Sequence, residues 1–282
     1  MNNQDRAVSL RDRLKQQRKN SGVDITTLTR KYFIDGFLVL LAHSQYRNYF
    51  IWKGGFVLSA ITGIEERTTV DVDSMLHHMN LSIDQLAKVV TSIVQGQSYH
   101  GTVYHLVDIK FIQEEKDYAG LRVRIQARLG NLTDNFHLDI ATDETLIPTE
   151  IKYNYLPLLS TETIPLMFYR PERILAEKVQ TVLVRSVFNT RMKDFYDIYT
   201  LFTTPGLIDN NLFISALKNI LEERGSIEAW QKRINILQEI TNDANLAKEW
   251  RIYSRKHAFV KETSFSDTLS VITKIFQIEL PS

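Results

Sequence analysis

Three consecutive β-rich segments in the middle of the chain constrain its fold most strongly. They span residues 102–112, 121–129 and 135–141, and each is rich in Val, Ile, Phe and Leu. Turn-prone stretches separate them at residues 117–120 and 130–134. Because short connections of this kind join strands that run antiparallel, the segments predict three neighbouring antiparallel strands.

Helical patterns lie on both sides of these strands. Before them, apolar residues recur with helical spacing at residues 8–19, 25–44, 56–62 and 82–94. After residue 171 helical patterns dominate, at residues 172–187, 192–202, 211–223, 227–240, 245–253 and 266–278. The region between is punctuated by Pro148, Pro157, Pro165 and Pro171, which predicts a loop-like segment and a domain boundary there.

Two short β-rich runs carry the most suggestive residues. Residues 49–52 lead into Gly54-Gly55, and residues 70–76 alternate Val with Asp71 and Asp73. Carboxylates at i and i+2 of a strand project to one face, where they can share a divalent cation. Adjacent glycines allow backbone N–H groups to approach a phosphate closely. The combination predicts metal-dependent handling of a nucleoside triphosphate.

Asp139 extends this hypothesis, because it lies between apolar residues on the last predicted strand and should face away from them. A third carboxylate on a neighbouring strand would complete a site for the metal ions that assist phosphoryl transfer. Each motif also has a structural interpretation. An Asp-x-Asp pair can be solvated at a strand edge, and a glycine pair can simply form a strand-to-helix turn.

A second group of ionisable residues lies far downstream. Lys178 is flanked by apolar positions on a predicted helix, and Asp194 and Asp197 begin the next helix. Lys178 could point into a cleft and neutralise triphosphate charge. It could equally form an interhelix ion pair with Asp194 or Asp197, and Asp194 could orient the lysine, in which case both interpretations hold.

Composition narrows the class of protein. The 282 residues are 44% hydrophobic with a formal net charge of +1, so overall charge gives no reason to bind nucleic acid. No apolar run reaches the roughly 18 to 20 residues of a membrane span, which predicts a soluble, cytoplasmic protein with no membrane partner. The chain has no cysteine, so a metal would have oxygen ligands.

A basic cluster near the N-terminus fits a solvated helix face better than an RNA contact. It comprises Arg11, Arg13, Lys15, Arg18 and Lys19.

At these residues the chain resembles the AbiEii-type toxins of the nucleotidyltransferase superfamily, which belong to type IV toxin-antitoxin and phage-defence systems. Four ordered motifs carry the resemblance: Lys53-Gly54-Gly55, Arg67-Thr68-Thr69-Val70-Asp71-Val72-Asp73, the helix start Pro171 to Lys178, and Arg191-Met192-Lys193-Asp194-Phe195-Tyr196-Asp197. Two positions depart from the family pattern. Thr69 replaces a usual Ser and keeps the hydroxyl, whereas Phe56 replaces a Thr and removes it.

The resemblance implies an α+β fold: a nucleotidyltransferase-like mixed β-sheet with flanking helices in residues 1–165, then an α-helical C-terminal domain in residues 166–282 that closes the cleft. It implies that Asp71, Asp73 and Asp139 bind Mg²⁺ or Mn²⁺ and that Lys178 contacts phosphate. Asp194 would act as a further essential acid that either orients the lysine or activates the acceptor. Asp71, Asp73, Lys178 and Asp194 would be the catalytic residues. The implied nucleotide-binding residues are Lys53, Gly54, Gly55, Arg67, Thr69 and Lys178.

The function implied is transfer of a nucleoside monophosphate from an NTP to RNA, with the tRNA 3′ end as the expected acceptor. The resemblance also implies a separately encoded antitoxin, often a winged-helix DNA-binding regulator. Two alternatives stay open at this point. The chain could be a nucleotide-binding interaction protein of the same fold, or it could modify a protein or a small hydroxylated molecule.

Overall fold

The computed structural model describes residues 2–63, 71–77, 79, 82–112, 120–141, 146–260 and 262–281. Arg67 and Thr69, two of the predicted nucleotide-binding residues, lie outside the described residues, and only the backbone of Asp71 is described. The chain forms two compact units. Unit 1 comprises Met1–Thr145 and Glu150–Tyr169, and unit 2 comprises Leu146–Thr149 and Arg170–Ser282.

Unit 1 is built on a mixed seven-stranded sheet in the order β3-β4-β5-β2-β1-β7-β6. The strands are β1 (Phe50–Lys53), β2 (Asp71–Leu76), β3 (Val103–Ile112), β4 (Gly120–Leu129), β5 (Leu132–Ala141), β6 (Ile151–Tyr155) and β7 (Ile164–Phe168). The helices are α1 (Asn3–Ser21), α2 (Ile25–Ala42), α3 (Gly54–Thr62) and α4 (Ile83–Val94). Together with the helices of unit 2, this confirms the predicted α+β class.

The three long strands β3, β4 and β5 pair antiparallel in sequence order, as the turn signals predict. Strand β2 pairs parallel with β5 on one side and antiparallel with β1 on the other. The core lies on the sheet face that carries the buried side chains of Val72, Leu138 and Ile140, and of Val123 and Ile125. The alternate residues of β2, β4 and β5 are consequently left on the opposite face.

The prediction of a loop-like segment between Pro148 and Pro171 was wrong, because this segment contains β6 and β7. Strand β7 pairs antiparallel with β6 and parallel with β1, where Ile51 aligns with Met167. Pro165 is tolerated because it lies near the start of β7, before the residues aligned with β1 begin.

The predicted start of β5 at residue 135 was also too late. Strand β5 begins at Leu132, which pairs with Leu129 across a two-residue turn formed by Gly130 and Asn131. Gly130 has a φ of 55°, a conformation that glycine adopts without the Cβ penalty. The hairpin is therefore tighter than the turn-prone composition of residues 130–134 suggested.

Unit 2 is helical in its described part. Its α-helices are α5 (Pro171–Arg185), α6 (Met192–Thr203), α7 (Asn210–Glu223), α8 (Ile227–Gln231), α9 (Arg233–Asn242), α10 (Ala244–Lys256) and α11 (Phe265–Phe276). The single helix predicted at residues 227–240 is two helices, α8 and α9. Arg233 donates hydrogen bonds to the carbonyls of Trp230 and Phe276, so a side chain satisfies a carbonyl at the break.

None of the described helices is both long and apolar enough to cross a membrane.

A buried carboxylate connects helix α2 to the chain that follows β6. Asp35 is fully buried and accepts hydrogen bonds of 2.7 Å from the Tyr155 hydroxyl and from the Leu158 backbone N–H. Lys31, one turn earlier on α2, lies 3.1 Å from the same carboxylate. Burial, then the neighbouring Asp35 charge, raises the pKa of Tyr155 well above its usual value, so this hydroxyl remains a donor.

We predict that Asp35→Ala lowers the free energy of unfolding by about 3 kcal/mol, because it leaves two buried donors and one cation without their acceptor. Urea unfolding monitored by fluorescence measures the change. Asp12→Ala is the control, since Asp12 forms an exposed ion pair with Lys15 and its loss should cost under about 1 kcal/mol. Equal losses in the two variants would contradict this account.

Candidate functional site

The turn between β1 and α3 passes directly against the Asp73 carboxylate. Gly54, the first residue of α3, has a φ of 68°, and a Cβ added there would collide with Oδ2 of Asp73. The β1–β2 ladder produces this approach, because it places Lys53 opposite Asp73. Glycine is thus required at position 54 both for its backbone conformation and for the space it leaves.

Asp73 and Asp139 lie side by side on one face of the sheet. Parallel strands β2 and β5 pair Asp73 with Asp139, at the usual interstrand separation of about 4.8 Å. The neighbours of Asp139 in β5, Leu138 and Ile140, are fully buried on the other face. The predicted orientation of Asp139, opposite to its apolar neighbours, is confirmed. The backbone of Asp71 aligns with that of His137, two residue pairs earlier in the same ladder.

Arg122 is a functional candidate that the sequence argument missed. Its Nε and a terminal guanidinium nitrogen lie 2.7 and 2.6 Å from the two carboxylate oxygens of Asp139, a bidentate ion pair. The two residues are direct neighbours across the β4–β5 hairpin. Had the two-residue turn at Gly130 and Asn131 been recognised in the sequence, pairing residues outward from it would have placed Arg122 opposite Asp139.

The predicted metal ligands Asp73 and Asp139 fit a hard divalent cation. Both are carboxylates, they share one face, and they lie on adjacent strands. Among the side chains that the structure describes, no group of three or more His, Asp or Glu is arranged around a possible metal position. The Asp71 side chain is not among them, so the three-carboxylate site stays a prediction.

Phe56, which stands where the resembling family has a threonine, belongs to the core. It is buried, and its ring packs edge-on against Trp52, Tyr155 and Phe168 at centroid distances of 5.1 to 5.9 Å. The hydroxyl missing at this position is replaced by an aromatic anchor that fixes α3 to the sheet.

Lys178 of unit 2 forms a buried ion triad with two aspartates of α6. Its Nζ contacts Oδ1 of Asp194 and lies 3.2 Å from Oδ2 of Asp197. Both carboxylates are almost completely buried, whereas the lysine side chain retains 17% exposure. The interhelix ion pair considered from the sequence is therefore present, with both aspartates as partners.

Two further cations surround this triad. Arg191 Nε lies 3.7 Å from Asp194 Oδ2. The pKa of Lys193 is lowered by burial, and then by the positive charges of Lys178 and Arg191. Three cations and two carboxylates leave an excess of one positive charge, which is suited to an anionic ligand.

The remaining predicted residues are placed as follows. Lys53 ends β1, and its ammonium lies 5.7 Å from the centre of the Tyr169 ring. Gly55 is the second residue of α3. Unit 1 thus carries Lys53, Gly54, Gly55, Asp73 and Asp139, and unit 2 carries Lys178 and Asp194.

We predict that Gly54→Ala lowers the free energy of unfolding by about 3 kcal/mol, through the cost of a positive φ and the collision with Asp73. Gly63→Ala is the matched control, because Gly63 has a φ of 69° but open space around its Cβ position. That variant should lose only about 1 kcal/mol. Urea denaturation compares the two, and a Gly54→Ala loss no larger than that of the control would show that the contact with Asp73 is unimportant.

The family model described as "Nucleotidyl transferase AbiEii toxin, Type IV TA system" matches residues 36–271. No curated protein matches the chain.

Two of the solved structures that the chain resembles are proteins from Helicobacter pylori. JHP933 is 14% identical over 90% of this chain and 92% of its own, with a TM-score of 0.47. A putative nucleotidyltransferase is 15% identical over 90% of this chain and 95% of its own, also with a TM-score of 0.47. The antibiotic-resistance factor ANT(2'')-Ia is 14% identical over 71% of this chain and 96% of its own, with a TM-score of 0.42.

These structural likenesses are distant and add nothing to the assignment, which rests on the family match. That match covers more than half of the chain and includes Lys53-Gly54-Gly55, Asp71, Asp73, Lys178 and Asp194. The chain belongs to the nucleotidyl transferase AbiEii toxin family of type IV toxin-antitoxin systems.

Proposed function

We propose that this nucleotidyltransferase-family enzyme transfers a nucleoside monophosphate from an NTP to the 3′ end of tRNA in a Mg²⁺-dependent reaction that blocks translation. The observation that carries the proposal is the position of Asp73, which lies against the Gly54 turn on one side and beside Asp139 on the other. A carboxylate pair next to a glycine turn supplies adjacent places for a cation and for the phosphates it accompanies.

In the reaction, an acceptor hydroxyl oxygen forms a bond to the α-phosphorus of the NTP. The bond from that phosphorus to the bridging oxygen breaks, pyrophosphate leaves, and the hydroxyl proton is released. Asp71, Asp73 and Asp139 are the residues that would hold Mg²⁺, which when bound stabilises negative charge on the phosphates. Gly54 leaves its backbone accessible because it has no side chain, and Lys53 adds a nearby cation.

Lys178 and its two aspartate partners have a proposed role of their own. Lys178 neutralises triphosphate charge, and Asp194 and Asp197 hold its ammonium in one place through the buried triad. We propose that Asp194 is the further essential acid and that it acts by orienting the lysine. Arg67 and Thr69 keep the nucleotide-binding roles that the resemblance implies for them.

Membership of a toxin-antitoxin family implies an antitoxin partner for the protein. We propose that it is separately encoded and is a winged-helix DNA-binding regulator. Co-expression of a winged-helix regulator encoded beside the toxin gene should restore growth to cells that make the toxin, and a lack of rescue would contradict this pairing.

The central test measures label transfer from each α-³²P NTP to a tRNA pool. We predict that Asp71→Ala and Asp73→Asn each reduce transfer at least a hundredfold, because both remove carboxylate charge from the proposed cation site. Asp12→Asn, an exposed change on α1, should transfer label at the normal rate.

Other outcomes of this test identify the alternatives. Label on protein or on a small molecule in a cell extract would replace RNA as the acceptor. NTP binding without any labelled product, together with toxicity that persists in Asp73→Asn, would identify a nucleotide-binding interaction protein instead.

A second test separates the two roles of Lys178. We predict that Lys178→Met lowers the free energy of unfolding by about 3 kcal/mol, because two buried carboxylates lose their shared cation. Lys178→Arg should recover most of that stability but leave kcat/KM at least about tenfold low, since a guanidinium places its charge differently. Full recovery of both quantities by arginine would show that any cation suffices, and would count against a specific phosphate contact.

A further inference from the structure

We propose that the face of β3, β4 and β5 opposite the core binds the phosphate backbone of the acceptor RNA. This basic sheet face is defined by Lys110, Arg122, Arg124 and Arg128, with His105 and His137 among them. The proposal rests on the proposed function, because it names the surface that presents the RNA to the Asp73 strand.

Strand register places these cations in line with the proposed reaction centre. In the strand register, Lys110 of β3 lies opposite Arg122 of β4, and Arg122 lies opposite Asp139 of β5. Asp139 in turn lies opposite Asp73 of β2. One continuous row therefore runs from the edge strand β3 to Asp73. With strands about 4.8 Å apart, Lys110 lies about 14 Å from the Asp73 strand, a distance that a few nucleotides of RNA can span.

Alternation along β4 puts the three arginines on the same side of the sheet. Val123, Ile125 and Ala127, which lie between them in sequence, are completely buried in the core. Arg122 and Arg124 are two residues apart and therefore separated by about 6.8 Å along the strand. Strand β4 thus carries a line of guanidinium groups that runs across the row described above.

The side chains of the basic sheet face are accessible. Lys110 retains 74% of its side-chain exposure, Arg122 43% and Arg124 40%, and Arg128 is also exposed. The same face also carries three neutral polar residues, Gln126, Thr133 and Asn135. Their side chains add hydrogen-bonding groups suited to ribose and bases.

The face carries more positive than negative charge. Asp139 pairs with Arg122, and Asp108 pairs with Arg124 at 2.6 Å while lying 3.8 Å from Lys110. Four basic residues against these two carboxylates leave an excess of two positive charges, compared with +1 for the whole chain. Positive charge is thus concentrated on one sheet face of a nearly neutral protein, where it complements phosphate.

RNA fits this arrangement better than an acidic protein does. Guanidinium groups bind phosphate in a bidentate geometry, and the line of them along β4 meets the row that ends at Asp73 at Arg122. An acceptor held along β4 would have one end directed towards the carboxylate pair. A protein partner would have no need of that alignment.

The test compares RNA binding by the full chain and a triple variant, Lys110→Gln, Arg124→Gln and Arg128→Gln. Arg122 is left unchanged because it pairs with the proposed metal ligand Asp139. The control variant removes three exposed charges from α10, by Lys248→Gln, Arg251→Gln and Arg255→Gln. Fluorescently labelled bulk tRNA is titrated between 50 and 200 mM salt, and NTP affinity is measured separately.

We expect the triple variant to bind tRNA at least about tenfold more weakly at 100 mM salt, with the slope of log K against log salt reduced by about two. The control variant should change tRNA affinity less than about twofold, and neither variant should change NTP affinity. Arg124→Lys with Arg128→Lys should retain most of the binding, because charge is kept.

Unchanged tRNA affinity in the triple variant would overturn the proposal, as would a wild-type protein that binds no RNA. Polyglutamate serves as an acidic-protein probe, and loss of polyglutamate binding without loss of tRNA binding would also overturn it. Failure of the proposed function has a different signature. In that case wild-type protein binds tRNA through the basic sheet face but transfers no label to it.

Discussion

The arrangement around β2 depends on the backbone of Gly54 passing against the Asp73 carboxylate. The contact exists because β1 and β2 pair with Lys53 opposite Asp73, and because α3 begins immediately after β1. Phe56 then fixes α3 by packing against Trp52 of β1 and Phe168 of β7. Packing of Phe56 in the core therefore keeps the β1–α3 turn at Gly54 against the Asp73 carboxylate.

The sequence predicted this region well because its signals are local. Alternation of valine and aspartate indicates a strand with two different faces, and a glycine pair indicates a turn. Each of these signals is contained in a few consecutive residues. Strands β6 and β7 were missed for the opposite reason. They are five residues each, one contains Pro165, and β7 is stabilised by pairing with β1, more than a hundred residues earlier in the chain. Pairing at such a separation leaves no local pattern.

The contacts of the charged residues were likewise only partly predictable from the sequence. The sequence placed Lys178 near Asp194 and Asp197 but left an ion pair and a phosphate contact as alternatives. The structure contains the ion pair, and its burial explains how a lysine between apolar positions is stabilised. The alternatives are compatible, because carboxylates that hold an ammonium in place also present its remaining exposed part in a fixed direction.

Arg122 shows why the carboxylates of Asp73 and Asp139 can lie side by side. Two negative charges about 5 Å apart repel by about 3 kcal/mol at an effective dielectric constant near 20. The bidentate pair with Arg122 offsets that repulsion at Asp139, and Lys53 adds positive charge on the opposite side of Asp73. The row Lys53, Asp73, Asp139 and Arg122 is therefore neutral in itself. Surplus positive charge begins only beyond it, at Lys110 and along the rest of β4, so the charge of this face is graded outward from the carboxylates.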